Sequence, residues 1–439
     1  MTDLNSIRAL RAAASDLNGV ARGKRLPPAF ADKIEAGAVR FPLSVLNLDI
    51  CGDDIEDSPL VLASGDRDGV LKPTGRGLVP MPWLDTPTAL APLWMFHEDG
   101  APYAGDPRHA LASVLARFSA RGLTPVVATE MEFFLVDDRD GVQVPASPRS
   151  GKRRPGGQIL SLSQLDAFDA FFTDLYDGCA AMGIPAGTAI SESGFGQFEI
   201  TMEHQADAMK AADDAWLFKL LTRGLARKHG FAASFMAKPY PDSAGSGMHV
   251  HFSVLDNSGA NVFDNGEEEG TDLLRQAVAG CLDALPACTA IFAPHGVSYD
   301  RLVPGAHAPT GIAWAYENRT AAIRIPSGAP VARRIEHRFA GADVSPHLAI
   351  AAILGGAITG IEDAAEPPAP ITGNAYEQDL PQVPSEWARA LDEFQRSPFA
   401  ARIFSGQLRE NFAMTKRQEI KICEGLSPDA LMDMYLDVV

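Results

Sequence analysis

Residues 126–136 are Val-Val-Ala-Thr-Glu-Met-Glu-Phe-Phe-Leu-Val, an apolar stretch that carries two charges, Glu130 and Glu132. The run predicts a β-strand, on which residues two apart point to the same face. Two carboxylates on one face of a buried strand would repel each other and lose their hydration. A solvated edge strand would tolerate them, but the hydrophobic flanks argue against an open edge. The pair therefore indicates a site for a bound cation.

Two further segments supply groups of the same kind. Residues 191–201 are Ser-Glu-Ser-Gly-Phe-Gly-Gln-Phe-Glu-Ile-Thr, with Glu192 and Glu199 on either side of a glycine turn, a weak signal when taken alone. Residues 244–253 are Ala-Gly-Ser-Gly-Met-His-Val-His-Phe-Ser, which predicts a glycine-rich approach to a strand. A lone strand histidine is usually structural, whereas two alternating histidines after Gly-Ser-Gly more often contact a metal or a phosphate.

Arginines and one more glutamate alternate at residues 334–338, Arg-Ile-Glu-His-Arg, so that Arg334, Glu336 and Arg338 share a face. Arg319 and Arg324 precede this segment. Arginine presents a rigid fork that suits carboxylate and phosphate oxygens. A surface ladder of ion pairs is the other interpretation, but the isoleucines that alternate with these charges predict that the opposite face is buried.

Together the segments offer glutamates, histidines and arginines, but no cysteine. Oxygen-rich ligation favours Mg²⁺ or Mn²⁺ over zinc. Carboxylates, metal ions and arginines are the groups that phosphoryl transfer uses to position and neutralise its charges. Neither a Walker-type phosphate loop nor a dinucleotide fingerprint after a strand occurs in the sequence. The residues alone thus predict a metal-dependent phosphoryl-transfer enzyme.

The composition of the chain limits the cellular compartment and the binding partners that we expect for the protein. The 439 residues are 46% hydrophobic and 21% charged, typical of a soluble globular protein. The net charge of −18 argues against nucleic acid and anionic membrane as partners, and fits a cationic substrate only weakly. We see no signal-peptide pattern, and the longest apolar run, 348–361, is shorter than the roughly 20 residues of a membrane span. We expect a cytoplasmic protein, with five widely spaced cysteines as buried thiols.

A domain boundary is expected near residue 105. Residues 1–105 contain short apolar runs between Gly, Pro and Asp, which predicts strands and turns. Asp106 can cap a helix that has Pro107 at its first position and ends near Gly122. Further helices are predicted over 206–229, 348–361 and from residue 385 onward. We therefore predict an α+β protein with domains 1–105 and 106–439.

Four ordered motifs carry a family resemblance: Lys-Pro-Tyr at 238–240, Gly-Ser-Gly-Met-His-Val-His at 245–251, Asn-Arg-Thr-Ala-Ala-Ile-Arg-Ile-Pro at 318–326 and Arg-Arg-Ile-Glu-His-Arg-Phe at 333–339. With these motifs the chain resembles the glutamine synthetase family over nearly its whole length. The resemblance implies a small N-terminal β-grasp domain and a larger catalytic domain with an antiparallel sheet and flanking helices. It also implies a homo-oligomer, usually a dodecamer of two hexameric rings, with active sites between neighbouring subunits.

The same resemblance implies a role for each candidate residue. Each active site would hold two or three Mg²⁺ or Mn²⁺ ions, one of them bound by Glu132, Glu192 and Glu199 and another by Glu130, His249 and Glu336. The residues near ATP would be His251, Ser253 and Arg334. Arg324 and Arg319 would act on its phosphates or on the transferring phosphoryl group. Glutamate would be bound by Arg301, Gly245 and Arg338. The implied reaction makes γ-glutamyl phosphate from ATP and glutamate, which an amine then attacks.

The sequence departs from ordinary glutamine synthetases at the amine site. Those enzymes carry a Gly-Tyr-Glu-Ala-Pro flap whose glutamate helps to bind and deprotonate ammonium, whereas residues 305–309 are Gly-Ala-His-Ala-Pro. Asp49 matches their acidic ammonium pocket only in part. Segments such as Arg-Phe-Ala-Gly-Ala-Asp at 338–343 resemble the γ-glutamylpolyamine branch of the family, γ-glutamylputrescine synthetase above all. We therefore expect putrescine or another polyamine as the substrate and ammonium as a poor one.

His307 has two interpretations. A neutral imidazole, with an ordinary pKa of about 6.5, could accept the proton of the amine. Alternatively, His307 lines the flap and leaves room for a larger amine. Other functions stay open as well: a ligase for a small monoamine or ethanolamine, ordinary glutamine synthetase, or a guanidine kinase, which would not need Arg301. A non-catalytic relative should have lost metal carboxylates.

Overall fold

The computed structural model describes residues 7–139, 141–153, 156–303 and 308–439. Strands β1 to β14 span Ala9–Ser15, Ala21–Leu26, Val39–Pro42, Asp68–Pro73, Val79–Pro80, Thr88–Phe96, Thr124–Val136, Ala186–Ser191, Gln197–Met202, Ala232–Ser234, Met248–Leu255, Trp314–Tyr316, Ile323–Ile325 and Ile335–His337. Helices α1 to α12 span Ala31–Glu35, Pro107–Ser119, Leu162–Ala167, Asp169–Met182, Ala208–Lys228, Asp272–Ala287, Thr289–Phe292, Pro346–Asp363, Trp387–Arg396, Ala400–Ile403, Gly406–Cys423 and Pro428–Leu436.

The first sheet lies wholly within the N-terminal part of the chain. Its strand order is β2-β1-β6-β4-β3, and β5 pairs with β6. Strands β1 and β6 are parallel, and the other pairs are antiparallel. Leu10, Leu71 and Met95 are fully buried in a core beneath this sheet.

The second sheet has the order β12-β13-β14-β11-β7-β9-β8, with β10 also paired to β7. All its pairs are antiparallel except β12 with β13. Along β7, the side chains of Met131, Phe133 and Leu135 are fully buried in the main hydrophobic core, which also contains residues of α5 and α8. The alternate side chains of β7, Glu130 and Glu132, therefore lie on the opposite face.

Several local predictions are confirmed. The Asp106 carboxylate accepts a hydrogen bond from the Arg108 amide at 2.8 Å, and α2 begins at Pro107 as predicted. Gly122 beyond its end has a left-handed φ of +67°, as a helix-terminating glycine should. The α+β class is confirmed, with helices covering an almost entirely antiparallel sheet. Among the described residues, no helix combines the length and apolar character that a membrane crossing requires.

The cysteine prediction is only partly right. Cys179, Cys281 and Cys288 are buried as expected, but Cys51 is exposed and Cys423 is half-buried. The exposed thiol lies in a turn directly after the buried Ile50. Buried and exposed residues alternate within a few positions in this turn. The wide spacing of the cysteines in the sequence therefore gave no information about the exposure of Cys51.

Candidate active site

The strand register of the second sheet gathers the charged residues on one face. His249 on β11 lies opposite Glu130 on β7, and Glu132 lies opposite Glu199 on β9. On the other side of β11 lies β14. Its Glu336 is opposite His251 of β11 on one side and opposite Arg324 of β13 on the other. Directly opposed residues of antiparallel strands share a face. The charged side chains of five strands thus lie together in a single region of the sheet.

Glu130 is at the centre of this region. Its two carboxylate oxygens lie 3.0 Å from His249 Nδ1 and 2.8 Å from His251 Nε2. Glu132 Oε1 lies 3.8 Å from His249 Nε2. The predicted alternation of both pairs is therefore confirmed, because the two histidines and the two glutamates face one another across neighbouring strands.

Two groups of three side chains have ligand atoms that all lie within 4.8 Å of one another: Glu130, His251 and Glu336 in one, and Glu130, Glu199 and His249 in the other. These groups differ from the sets implied by the family resemblance. His251 accompanies Glu336 where His249 was expected, and Glu199 is grouped with Glu130, not with Glu132 and Glu192. The difference arises because Glu130 lies between the two histidines.

Buried carboxylates in this region resist ionisation. Burial, reinforced by the charges of Glu130 and Glu132, raises the pKa of Glu199 to about 9. Burial and the charge of Glu132 raise the pKa of Glu192 to about 7. Burial also acts on Glu130, but hydrogen bonds from His249 and His251 outweigh it and lower the pKa of Glu130. Since nearby positive charge would stabilise all these carboxylates, the donor set fits a hard divalent cation.

Two buried arginines hold Glu336. Arg324 Nη1 donates a hydrogen bond to Glu336 Oε2 at 2.7 Å, and Arg338 Nη1 donates to Oε1. Burial would raise the pKa of Glu336, but Arg338 and the neighbouring histidines lower it. The Nε atoms of both arginines are buried and have no hydrogen-bond partner within the described part of the chain. Unpaired buried donors are rare, and here they leave capacity for an anionic ligand.

Two of the other residues predicted to contact ATP, Arg334 and Ser253, lie close to His251 along the sheet. Arg334 is half-buried, and its Nε donates a hydrogen bond to His251 Nδ1 at 3.2 Å. Ser253 is half-buried two residues further along β11, on the same face as His251. Arg319 is exposed on a turn, and its charge is among those that act on Glu192.

The glycine-rich segment before β11 packs directly against Arg301. This arginine is 4% exposed, and its Nη1 donates a hydrogen bond to the Phe339 carbonyl at 2.8 Å. A β-carbon on Gly245 would lie 2.7 Å from Arg301 Cγ, and one on Gly247 would lie 2.6 Å from Arg301 Nη2. The Gly247 amide donates to Glu132 Oε2 at 2.9 Å. The segment therefore needs glycine because the arginine side chain occupies the space of a β-carbon.

Sequence reasoning missed two supporting residues. Gln197 donates from Nε2 to the Gly245 carbonyl at 2.9 Å, and its Oε1 accepts from the Gly194 amide at 3.0 Å. Glu317 forms an ion pair with Arg324 at 3.2 Å and has a left-handed φ of +53°, which is uncommon for a residue other than glycine. Gln197 lies within the Gly-Phe-Gly-Gln-Phe-Glu turn, and Glu317 directly precedes the Asn-Arg motif. Their position next to these motifs is the sequence feature that could have identified them as part of the site.

The predicted amine site includes His307 and Asp49. His307 lies outside the described residues. Asp49 is 1% exposed, with Oδ1 accepting from the Asp53 amide at 2.9 Å and Oδ2 accepting from Gln418 Nε2 at 2.7 Å. Both of its carboxylate oxygens are thus engaged within the same chain.

Comparisons with known proteins agree with this geometry. The family described as "Glutamine synthetase, catalytic domain" matches residues 104–435. Gamma-glutamylputrescine synthetase PuuA of Escherichia coli K12 is 37% identical over 433 residues, which cover 96% of this chain and 90% of that protein. A glutamate–isopropylamine ligase of Pseudomonas is 31% identical, covering 99% of this chain and 96% of that protein. A solved structure, a GmaS/ADP complex, has a TM-score of 0.84 at 25% identity and covers 97% of each chain.

Proposed function

The chain belongs to the glutamine synthetase family and is an ATP-dependent ligase, and on that premise we propose that it joins the γ-carboxylate of glutamate to a primary amine, putrescine or another polyamine. The observation that carries the proposal is the convergence of glutamates and histidines from four strands beside two buried arginines. These are the groups that position ATP phosphates and neutralise charge during phosphoryl transfer.

The acidic cluster fits two hard divalent cations, Mg²⁺ or Mn²⁺. Its donors are mainly carboxylate oxygens, and burial leaves the carboxylates in need of positive charge. The residues that would hold the ions are Glu130, Glu132, Glu192, Glu199, His249 and Glu336, with His251 close enough to Glu130 and Glu336 to take part. Such ions, when bound, supply charge neutralisation at the phosphates of ATP.

The arginines of the site contact glutamate, the transferring phosphoryl group and the nucleotide. Arg301 and Arg338 bind the glutamate carboxylates, next to Gly245, whose lack of a β-carbon lets the Arg301 side chain pack against the backbone. Arg324 and Arg319 stabilise the negative charge of the transferring phosphoryl group, and His251, Ser253 and Arg334 contact the nucleotide. The γ-carboxylate of glutamate attacks the γ-phosphorus of ATP, ADP leaves, and γ-glutamyl phosphate forms. The amine then attacks its carbonyl carbon and releases phosphate.

Two observations favour a polyamine over ammonium. The flap residue that is a carboxylate in ordinary glutamine synthetases is His307 here. In addition, the relative at 37% identity is named for putrescine. A small monoamine is the second candidate, because the relative at 31% identity is named for isopropylamine. Ethanolamine and ammonium are the further alternatives.

The decisive experiment measures phosphate release from ATP and glutamate with Mg²⁺ against a panel of amines: ammonium, putrescine, longer polyamines, ethanolamine, methylamine and isopropylamine. We expect kcat/KM for putrescine or a longer polyamine to exceed that for ammonium by at least about tenfold. Comparable turnover with ammonium would contradict the polyamine proposal. Mass spectrometry of the product, together with a reaction that contains guanidine and no glutamate, separates a ligase from a guanidine kinase.

The role of His307 is tested by the His307→Ala variant. If the imidazole accepts the amine proton, kcat at saturating amine should fall by about 10²-fold, the usual size of a general-base contribution. If His307 only makes room for the amine, kcat should stay unchanged and KM for the amine should change instead. Steady-state kinetics over a range of amine concentrations distinguish the two.

We further propose that residues 1–105 and 106–439 are separate domains, and that the protein is a cytoplasmic dodecamer of two hexameric rings with active sites between subunits. Family membership supports this assembly. Light scattering of the purified protein should give the mass of twelve chains of 46.8 kDa. A monomer with full activity would exclude shared active sites.

A further inference from the structure

The turn that presents Arg301 rests on a buried carboxylate that the proposed reaction does not use. Arg301 ends a short 3-10 helix, Gly296–Arg301, and Ser298 lies inside it. The Ser298 hydroxyl donates a hydrogen bond to Asp343 Oδ2 at 2.6 Å and accepts one from the His295 amide at 3.0 Å. Ser298 and Asp343 are 2% and 1% exposed. The carboxylate thus holds the middle of the turn in place.

Asp343 also reaches the other parts of the predicted glutamate site. Its Oδ2 accepts a second hydrogen bond from the Ala237 amide at 3.4 Å, and the Ala237 carbonyl accepts one from the Ser246 amide at 2.9 Å, next to Gly245. Asp343 itself follows Arg338 by five residues. The Asp343 side chain therefore joins the turn that carries Arg301 to Ala237, whose carbonyl in turn holds the segment of Gly245.

The charge of this carboxylate is balanced by buried cations. Lys219 on α5 donates to the carbonyls of Ala342 at 2.9 Å and Val344 at 3.2 Å, on both sides of Asp343. Burial lowers the pKa of Lys219 to about 7, and Asp343 counteracts that shift. Burial also lowers the pKa of Arg301, and Glu132 and Asp343 oppose it. Asp343 makes no direct ion pair with either cation among the described residues, so the carboxylate acts on them through its charge at longer range.

We propose that Asp343 is a positioning residue for glutamate binding, which fixes the Ser298 turn so that Arg301 meets the substrate beside Gly245 and Arg338. The inference rests on the proposed function, because that function assigns Arg301 to glutamate. Since the contact to substrate is made by Arg301, loss of the Asp343–Ser298 bond should weaken glutamate binding and leave the chemistry on ATP unchanged.

The test uses two variants of the full-length protein, Ser298→Ala and Asp343→Asn. Both should raise KM for glutamate by about tenfold, while kcat and KM for ATP change by less than about twofold. A raised KM with an unchanged kcat is the result expected when a mutation removes binding that is equal in the ground state and the transition state. Because the two residues form one interaction, the double variant should be no worse than the poorer single variant. Ser298→Thr, which retains the hydroxyl, should keep KM for glutamate near the wild-type value.

Asp213→Asn is the matched control. Asp213 is a comparably buried carboxylate that pairs with Arg108 at 2.9 Å and His347 at 2.8 Å, so its loss should lower the melting temperature without changing KM for glutamate. An unchanged glutamate KM in Ser298→Ala would overturn the positioning role, as would equal effects on the KM values of glutamate and ATP. If Asp343→Asn does not fold, Ser298→Ala alone decides. Inactivity of the wild type with every amine would instead refute the proposed function.

Discussion

Glu199 shows how the properties of one side chain depend on its neighbours. In water its carboxyl group would be ionised at neutral pH, but burial beside Glu130 and Glu132 raises its pKa to about 9. Glu130 stays ionised because two histidines face it. A positive charge in this region would favour ionisation of the remaining carboxyl groups, and a divalent cation is the charge that the donor set accommodates.

Glu199→Gln tests this at the scale of the residue. The amide keeps the shape of the side chain but removes an anionic ligand, so Mn²⁺ affinity measured by calorimetry should fall by at least about tenfold. Ligase activity at fixed Mg²⁺ should fall with it. Glu203→Gln is the control, because Glu203 follows β9 directly but is exposed. Equal Mn²⁺ affinities for the two variants would remove Glu199 from the metal site.

The contact between α6 and α8 depends on glycine at the scale of the element. A β-carbon on Gly280 of α6 would lie 2.0 Å from the Gly356 carbonyl oxygen of α8, and one on Gly360 would lie 2.1 Å from the Gln276 carbonyl oxygen. Helix α8 is buried from Pro346 to Ile361. Its glycines let the two backbones approach, which places α8 against the core beneath the second sheet.

Gly280→Ala should therefore destabilise the protein although alanine favours helices. The change in helix propensity is worth about 1 kcal/mol in favour of alanine, but a β-carbon at this contact forces the helices apart, and overpacking costs about 1–3 kcal/mol or more. Gly406→Ala is the control: Gly406 begins α11, and apart from its chain neighbours and the backbone of its own helix no atom of the described chain lies within 4 Å of its β-carbon position. Urea midpoints should fall for Gly280→Ala and stay level or rise for Gly406→Ala; a rise for both would contradict the packing argument.

Local signals predicted the elements better than their arrangement. Asp106-Pro107 gave the start of α2, and the alternation along β7 gave the two faces of that strand, since both depend on residues within a few positions. The grouping of Glu199 with Glu130 and His249 depends on which strands are neighbours and in which register, and no local pattern contains that information. The family resemblance supplied the candidate site residues, but the grouping around Glu130 required the three-dimensional register.

At the scale of the whole molecule, a buried network connects the two ends of the chain. Lys416 Nζ donates to Asn18 Oδ1 at 2.7 Å and to Glu419 Oε2 at 2.9 Å. Glu419 Oε1 accepts from the Tyr435 hydroxyl at 2.7 Å and lies 2.6 Å from His295 Nδ1. His295 in turn caps the N-terminus of the 3-10 helix that ends at Arg301. Helix α11 therefore links the N-terminal segment to the turn that carries a predicted substrate-binding arginine.

This network predicts a marked loss of stability in Glu419→Gln. Lys416 and Glu419 are both fully buried, and removing one partner of a buried ion pair costs about 3–5 kcal/mol because the other charge stays buried. The free energy of unfolding at pH 7, from urea denaturation, should fall by that amount. Glu410→Gln, an exposed change on the same helix, should have little effect.

The acid dependence of stability gives a second, independent measure of the same network. Burial alone would raise the pKa of Glu419, but Lys416 and His295 hold it at about 2, below the ordinary value of 4.5. A carboxyl group with a depressed pKa stabilises the fold fully above its unfolded pKa, and this contribution is lost as the pH falls through the folded pKa. The free energy of unfolding of the wild type should therefore decrease between pH 4.5 and pH 2 more steeply than that of Glu419→Gln, which has no proton to bind there. Glu410→Gln should follow the wild-type slope, and parallel curves for all three proteins would show that Glu419 is not held as an anion by this network.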